Sequence, residues 1–154
     1  MVEVVIAVGV AAFGIAVVLA MLPGLLQQNT GARHAHIALG MPDSVARELG
    51  QFANTSFSSL GANAAEFLAE TSVLRLVAAE DGTDLRPEIA DGRPAFFLVE
   101  MHRFPPGSQL SYDPSAPYLV LQARISWPHR PMAGAPEVPR ESRQRIFFNV
   151  VVTQ

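Results

Sequence analysis

The chain has no cysteine, no lysine and only one charged residue before Arg33. Without cysteine it can form neither a disulfide framework nor a thiolate metal site. All 11 basic residues are arginines, which we attribute first to a genomic bias towards GC-rich codons. Because these arginines are scattered and the net charge is only −3, nucleic-acid binding is not expected.

A long apolar run follows the single early charge, Glu3. From residue 4 to residue 22 no side chain is charged or strongly polar. At about 1.5 Å per residue a helix of this length spans roughly 28 Å, close to the ~30 Å of a bilayer's hydrocarbon core. A cleaved secretory signal would need a basic region in front of the run, and none is present. A buried helix of a soluble protein is the other alternative, but the polar remainder looks too small to surround it.

Small residues recur along this run at spacings that place them on helix faces. Such stripes let helices approach closely in lipid, although alanine and glycine are also simply common in membrane helices. Pro23 and Gly24 are expected to interrupt the helix, with a kink at Pro23, and the polar residues 27–31 mark its exit from the membrane. The predicted helix-packing residues are Ala7, Ala11, Ala12, Gly14, Ala16 and Ala20.

Glu3 admits two interpretations. A carboxylate near the hydrocarbon edge is costly unless it stays at the interface or finds a cation. At a helix N-terminus it also meets the positive end of the helix dipole. Glu3 is therefore either an interfacial acid that caps the helix or an acid that pairs with an amine of another subunit.

Residues 2–9, VEVVIAVG, and the small-residue-rich run after them resemble the N-terminal helix of type IV pilins and type II secretion pseudopilins. In that family a basic leader ends in Gly or Ala, and Phe-(Ser/Thr)-(Leu/Met)-(Val/Ile)-Glu follows. Met1 falls on the Leu/Met place, Val2 on the next and Glu3 on the Glu. Residues 11–16 look like the minor pseudopilin form of the helix. Residues 22–26, with the predicted C-terminal sheet, are similar to a pseudopilin-like cassette group of Verrucomicrobia.

The leader and the two residues that would precede Met1 are missing from this match. We favour an internal Met as the recorded start, with the true start codon upstream. The alternative is a degenerate pilin that the prepilin peptidase cannot process, in which case Glu3 would lack a correctly placed partner amine.

Residues 29–72 are predicted to connect the stem to a sheet, largely as helices. Pro42 and Asp43 suit the first turn of one helix, and residues 62–70 are expected to form another. From residue 73 the hydrophobic period changes to two, which predicts strands. The predicted strands are residues 73–78, 95–104, 118–127 and 145–153, joined as an antiparallel meander.

No catalytic constellation is apparent. The chain has no G-x-S-x-G elbow, P-loop, G-x-G-x-x-G or H-E-x-x-H motif, so no enzyme activity and no cofactor are expected. His102 and His129 lie on or beside strands and are interpreted as solvated or sheet-surface residues rather than as general bases. His34 and His36 do not share a helix face and predict no metal site. Residues 80–84 are interpreted as an acidic turn rather than a calcium site.

The proline-rich loops, residues 104–117 and 128–139, are expected to be rigid surface connections or partner contacts.

The resemblance implies an α+β, pilin-like fold in which a long hydrophobic stem helix packs on a four-stranded antiparallel sheet. The predicted divisions are residues 1–28 as the stem, 29–72 as the connection and 73–154 as the sheet domain. Glu3 would set subunit register by pairing with a neighbour's N-terminal amine. The resemblance further implies leader cleavage, N-methylation, other pilin-like subunits as partners, and a single pass through the bacterial inner membrane. The C-terminal domain would be periplasmic or on the cell surface. The alternative is a single-pass anchored extracytoplasmic binding domain that does not polymerise.

Overall fold

The computed structural model describes residues 2–51, 65–66, 74–88, 93–113 and 115–153. The chain divides into two compact units, Met1–His36 and Ile37–Gln154. The first unit is helical, and the second combines helix with a sheet. The predicted α+β class is therefore confirmed.

Helix α1 runs from Val2 to Gly40 and continues through Pro23, so the predicted interruption at Pro23 and Gly24 is wrong. It extends well beyond the predicted stem boundary at residue 28. Proline removes one N–H donor but leaves the rest of the ladder in place, and the polar stretch after it still forms helical hydrogen bonds. In addition, the side chain of Thr30 donates from Oγ1 to the Leu26 carbonyl at 2.7 Å. The predicted kink at Pro23 stays a prediction.

The apolar side chains of α1 between residues 6 and 26 are not covered by the described part of the chain. Every residue from 6 to 26 is exposed, including Phe13 at 72% and Ile15 at 61%. The helix is long and apolar enough to cross a membrane, judged by length and composition. A helix that is apolar all round is suited to lipid or to other apolar helices rather than to water.

A second helix, α2, comprises residues 42–51 and starts at Pro42 as predicted. Met41, Val45 and Leu49 recur every four residues on one side and are at most 3% exposed. Residues from α2 and from 151–153 line a common cavity, which places this helix beside the end of the last strand. The buried side of α2 therefore contributes to the core of the second unit.

The sheet has six strands among the described residues, and the hydrogen-bonded path through it is β3-β2-β4-β5-β6. All pairs on this path are antiparallel, whereas β1 pairs with β4 in parallel. The strands are β1 Ala65–Glu66, β2 Leu74–Ala78, β3 Arg86–Pro87, β4 Phe97–Arg103, β5 Tyr118–Trp127 and β6 Gln144–Thr153.

The four predicted strands correspond to β2, β4, β5 and β6, in the predicted antiparallel order. The predicted count of four omitted the two-residue strands β1 and β3, which are too short to show a period of two. The helix expected over residues 62–70 is wrong at Ala65–Glu66, which pair as a strand with His102 and Arg103. This pairing occupies the part of β4 that β2 does not reach, where backbone groups would otherwise lack partners. The rest of residues 62–70 lies outside the described residues.

The two faces of the sheet differ in chemistry. One face is apolar, with Leu76, Val99 and Ile125 fully buried at neighbouring positions. The opposite face carries Arg75, Glu100 and Arg124, which also lie side by side on β2, β4 and β5. This second, charged face positions the candidate site.

Candidate functional site

Glu100 is the centre of the charged face and is only 1% exposed. Arg124 donates from Nε and Nη2 to Glu100 Oε2 at 3.0 and 2.7 Å. Arg140 Nη2 donates to Oε1 at 3.0 Å, and Arg75 Nε lies 3.9 Å from the same oxygen. A buried carboxylate is tolerated only when it is paired and hydrogen-bonded, and three arginines meet that requirement here.

A second part of the cluster is built around His129, which is fully buried. Its Nε2 lies 3.2 Å from Glu88 Oε1, and its Nδ1 lies 3.5 Å from Glu137 Oε1. Burial is the largest influence and lowers the pKa of His129, outweighing the two carboxylates that favour its charged form. Glu88 is also held by Arg75 at 2.8 Å and Arg130 at 3.4 Å.

Arg143 forms hydrogen bonds with the segment that covers the charged face of the sheet. Its Nε donates to the Val138 carbonyl at 2.7 Å, and its Nη2 lies 2.5 Å from Glu137 Oε1. For Glu137, burial raises the pKa, but the hydrogen bond from Arg143 and the charges of His129, Arg143 and Arg75 together lower it. The carboxylate is therefore the form that the fold stabilises.

The proline-rich segment 128–139 places His129, Arg130 and Glu137 in the charged cluster. His129 N donates to the Phe96 carbonyl at 2.8 Å, and Arg130 exchanges backbone hydrogen bonds with Ala95 at 2.7 and 3.1 Å. Val138 N donates back to the His129 carbonyl at 2.9 Å, which closes the segment into a loop. The loop is thus fixed at both ends, and it carries three members of the charged cluster, His129, Arg130 and Glu137.

A pocket of about 320 Å³ lies at one side of the cluster. Glu100, Arg124 and Ser126 reach it from the strands, and residues 140–145 contribute Arg140, Glu141, Arg143 and Arg145. With four arginines and two glutamates, the lining has a formal charge of +2. Its chemistry is that of an anion-accepting surface.

The predicted assembly residues lie elsewhere, on α1. Glu3 is in the first helical turn, where the dipole favours a negative charge. At about 100° per residue, the small residues form two stripes on nearly opposite sides of the helix. One stripe contains Ala7, Ala11 and Gly14, and the other contains Ala12, Ala16 and Ala20.

The acidic turn at residues 80–84 uses its carboxylates locally. Asp81 Oδ1 accepts from Thr83 N at 3.0 Å and from Thr83 Oγ1 at 2.6 Å. Asp84 pairs with Arg86 and lies 3.7 Å from Arg93. Among the residues that the structure describes, no group of three or more His, Cys, Asp or Glu side chains is arranged to hold a metal ion.

Sequence reasoning missed the charged cluster. The interpretation of His102 and His129 as solvated is wrong, since they are 3% and 0% exposed. The available signal was the alternation of β4 and β5, which places Glu100 and Arg124 on the same face. Nothing in the sequence indicates that residues 128–143 fold back over that face.

The cluster fits a structural role for its histidine, because a fully buried His129 cannot touch a substrate while the loop is in place. The pocket beside it is the part that can receive a ligand.

Comparisons with family models, curated proteins and solved structures give no match for this chain. Its function must therefore be argued from the two units themselves.

Proposed function

We propose that this protein is a structural subunit of a type IV pilus-like or type II secretion pseudopilus assembly, anchored by α1. The observation that carries the proposal is the exposed apolar surface of α1, headed by Glu3 as the only charge before Arg33. Such a surface is removed from water either by lipid or by the apolar helices of other subunits. The inner membrane would supply the lipid, and the assembled fibre would supply the apolar helices of other subunits.

Glu3 has a defined part in this proposal. Inside a bundle of apolar helices a carboxylate without a partner is strongly unfavourable. Pairing with the N-terminal amine of a neighbouring subunit removes that cost and fixes the axial register between the two helices. The sheet unit would then lie on the periplasmic or outer side of the membrane.

The two small-residue stripes support contact with more than one neighbour. Because they face nearly opposite directions, α1 can approach a second helix on each side. Gly14 has room for a side chain within its own chain, since an added Cβ meets no atom within 4 Å. Its smallness therefore serves nothing in the described part of this subunit, and close packing against another helix is a reason for it.

Replacing Glu3 with Ala tests the register role directly. We expect co-purification with other pilin-like subunits, and incorporation into fibres, to fall to a small fraction of the wild-type level. Glu141→Ala is the matched control, because Glu141 is an exposed glutamate in the other unit. Assembly of Glu3→Ala at the wild-type level would refute the register role.

Leucine substitutions test the stripes. Gly14→Leu and Ala16→Leu each enlarge one stripe, while Val17→Leu enlarges the surface between them. We expect the first two to reduce subunit cross-linking along α1 and the third to leave it unchanged. Equal cross-linking in all three variants would remove the packing argument.

The second candidate is an anchored extracytoplasmic binding domain that does not polymerise. The pocket beside Glu100 is the observation that favours it, because a charged cleft of this size can receive a ligand. Reading the nucleotides upstream of the Met1 codon helps to separate the two. An in-frame basic leader that ends in Gly or Ala and then Phe would support the pilin-like subunit.

A further inference from the structure

The pocket beside Glu100 contains polar groups that the fold leaves unused. Arg143 is 7% exposed and Ser126 is 6% exposed, and both line the pocket. Arg143 Nη1 and Ser126 Oγ are buried, and neither has a hydrogen-bond partner among the described residues. Buried donors without acceptors are rare because their desolvation is not repaid, so each requires an explanation.

The backbone brings these groups together with a third. Ser126 on β5 is directly opposite Arg145 on β6, which places their Cβ atoms about 4.5–5.5 Å apart on the same face of the sheet. Arg143 precedes Arg145 by two residues in extended backbone and so projects to the same side. Arg145 is exposed, whereas Ser126 and Arg143 are buried, and all three line the pocket.

The charges around the pocket also favour an anion. Glu100 is already shared by Arg124 and Arg140, and Glu137 is taken by Arg143 Nη2. Arg145 has no ion pair with any other described residue, and its charge therefore remains available. Guanidinium and hydroxyl donors that converge in a cleft are the groups that bind carboxylates and phosphates.

We propose that this pocket binds a small oxyanion, a phosphate or a carboxylate group, through Arg143 Nη1, Ser126 Oγ and the guanidinium of Arg145. The anion supplies the acceptors that the two buried donors lack. The proposal does not depend on assembly into a fibre, because all of these residues belong to the sheet unit. An anchored subunit and an anchored binding domain could both carry the site.

The test is a titration of the full-length chain in detergent micelles with sodium phosphate and, separately, with sodium acetate. Ionic strength is held constant with sodium chloride. Unfolding is followed by the fluorescence of Trp127, the single tryptophan, which is buried next to Ser126. We expect a saturable rise in the unfolding midpoint with phosphate, acetate or both, and none with chloride alone. The more effective anion identifies the preferred ligand group.

Two variants locate the site without disturbing the fold. Arg145→Gln removes an exposed charge, and we expect the Kd of the effective anion to rise about tenfold, as for loss of one charged hydrogen bond. Ser126→Ala removes a hydroxyl that has no hydrogen-bond partner among the described residues, so the anion-free protein should keep its stability while binding weakens several-fold. Arg47→Gln, on α2, is the matched control and should bind as the wild type does.

Two results would overturn the proposal. One is the absence of saturable stabilisation by phosphate and by acetate, which would mean that the buried donors are served by water alone. The other is equal anion affinity in Arg145→Gln, Ser126→Ala and the wild type, which would place the bound anion elsewhere on the chain.

Discussion

The two units of this chain differ in the kind of energetically unfavourable group that they contain. Between residues 6 and 26 of α1, apolar side chains are exposed, whereas in the sheet unit Glu100 is nearly completely buried. The first arrangement is unfavourable in water because apolar surface is hydrated, and the second because a charge is desolvated. The sheet unit offsets its cost internally with three arginines. Nothing in the described part of the chain covers residues 6–26 of α1, so their surroundings must shield these side chains from water.

The largest predicted effect comes from removing the charge of Glu100, which its three arginine partners stabilise. Glu100→Gln leaves Arg75, Arg124 and Arg140 around an uncharged amide. Removing one partner of a buried ion pair typically costs about 3–5 kcal/mol, so we expect the free energy of unfolding to fall by that amount. Denaturant unfolding monitored by Trp127 fluorescence measures it.

Glu141→Gln is the control for that experiment, since Glu141 lines the same pocket but is exposed. It should change stability by less than about 0.5 kcal/mol, as surface substitutions usually do. Equal losses in the two variants would mean that burial and pairing at Glu100 contribute nothing particular.

The second prediction concerns the insertion of the apolar run of α1 into a membrane. Ile15→Arg places a cation near the middle of the apolar run, where it should disfavour membrane insertion by about 2.5–3.5 kcal/mol. The fraction of chain that integrates into microsomal or inner-membrane vesicles reports the change. Gln28→Arg, at the polar end of the run, should integrate as the wild type does.

This substitution also sharpens the contrast between the units. Unfolding of the sheet unit, followed through Trp127, should be the same for Ile15→Arg and the wild type. If Ile15→Arg integrated normally, α1 would not be the membrane anchor that its length and composition indicate.

The same contrast explains which features could be predicted from the sequence. β5 was predicted with its observed bounds, Tyr118–Trp127, because its alternation of apolar and polar residues survives in the fold. The apolar run of α1 was equally visible. Both signals are local, and each depends only on the residues of one element.

The charged cluster could not be predicted because it depends on tertiary placement. Arg75, Glu100 and His129 are far apart in sequence, and they meet only through strand register and the folding back of the 128–139 loop. Nor could the end of α1 be located. Residues 27–31 look like an exit from the membrane, and leaving the membrane does not require a helix to end.

A third prediction concerns Gly82, in the turn after β2. Its φ is +79°, and a Cβ there would lie 2.7 Å from Ile37 Cγ2. Gly82→Ala should therefore cost about 1–3 kcal/mol of stability, from backbone strain together with the clash. Gly134→Ala is the matched control, because Gly134 also has a positive φ, +72°, but an added Cβ meets nothing within 4 Å. The excess loss in Gly82→Ala measures the close approach; equal losses would show that only backbone conformation matters.

The smallest predicted effect is a loss of sheet-unit stability on mild acidification. The pKa of His129 is lowered in the fold, so the unfolded chain binds a proton near its ordinary value of 6.5 while the folded chain does not. Stability should therefore fall as the pH drops below about 6.5. The pKa of Glu137 is also lowered, so its contribution is present above its ordinary value of 4.5 and is lost as the pH falls further.

The free energy of unfolding, measured at several pH values between 7 and 4 by Trp127 fluorescence, tests this order of events. His129→Gln should abolish the decline between pH 7 and pH 5 and keep the one below it, because the glutamine cannot take up a proton. If stability instead rose between pH 7 and pH 5, the two carboxylates beside His129 would outweigh its burial. The positive charge of protonated His129 would then be stabilised by Glu88 and Glu137, and its pKa would be raised in the fold rather than lowered.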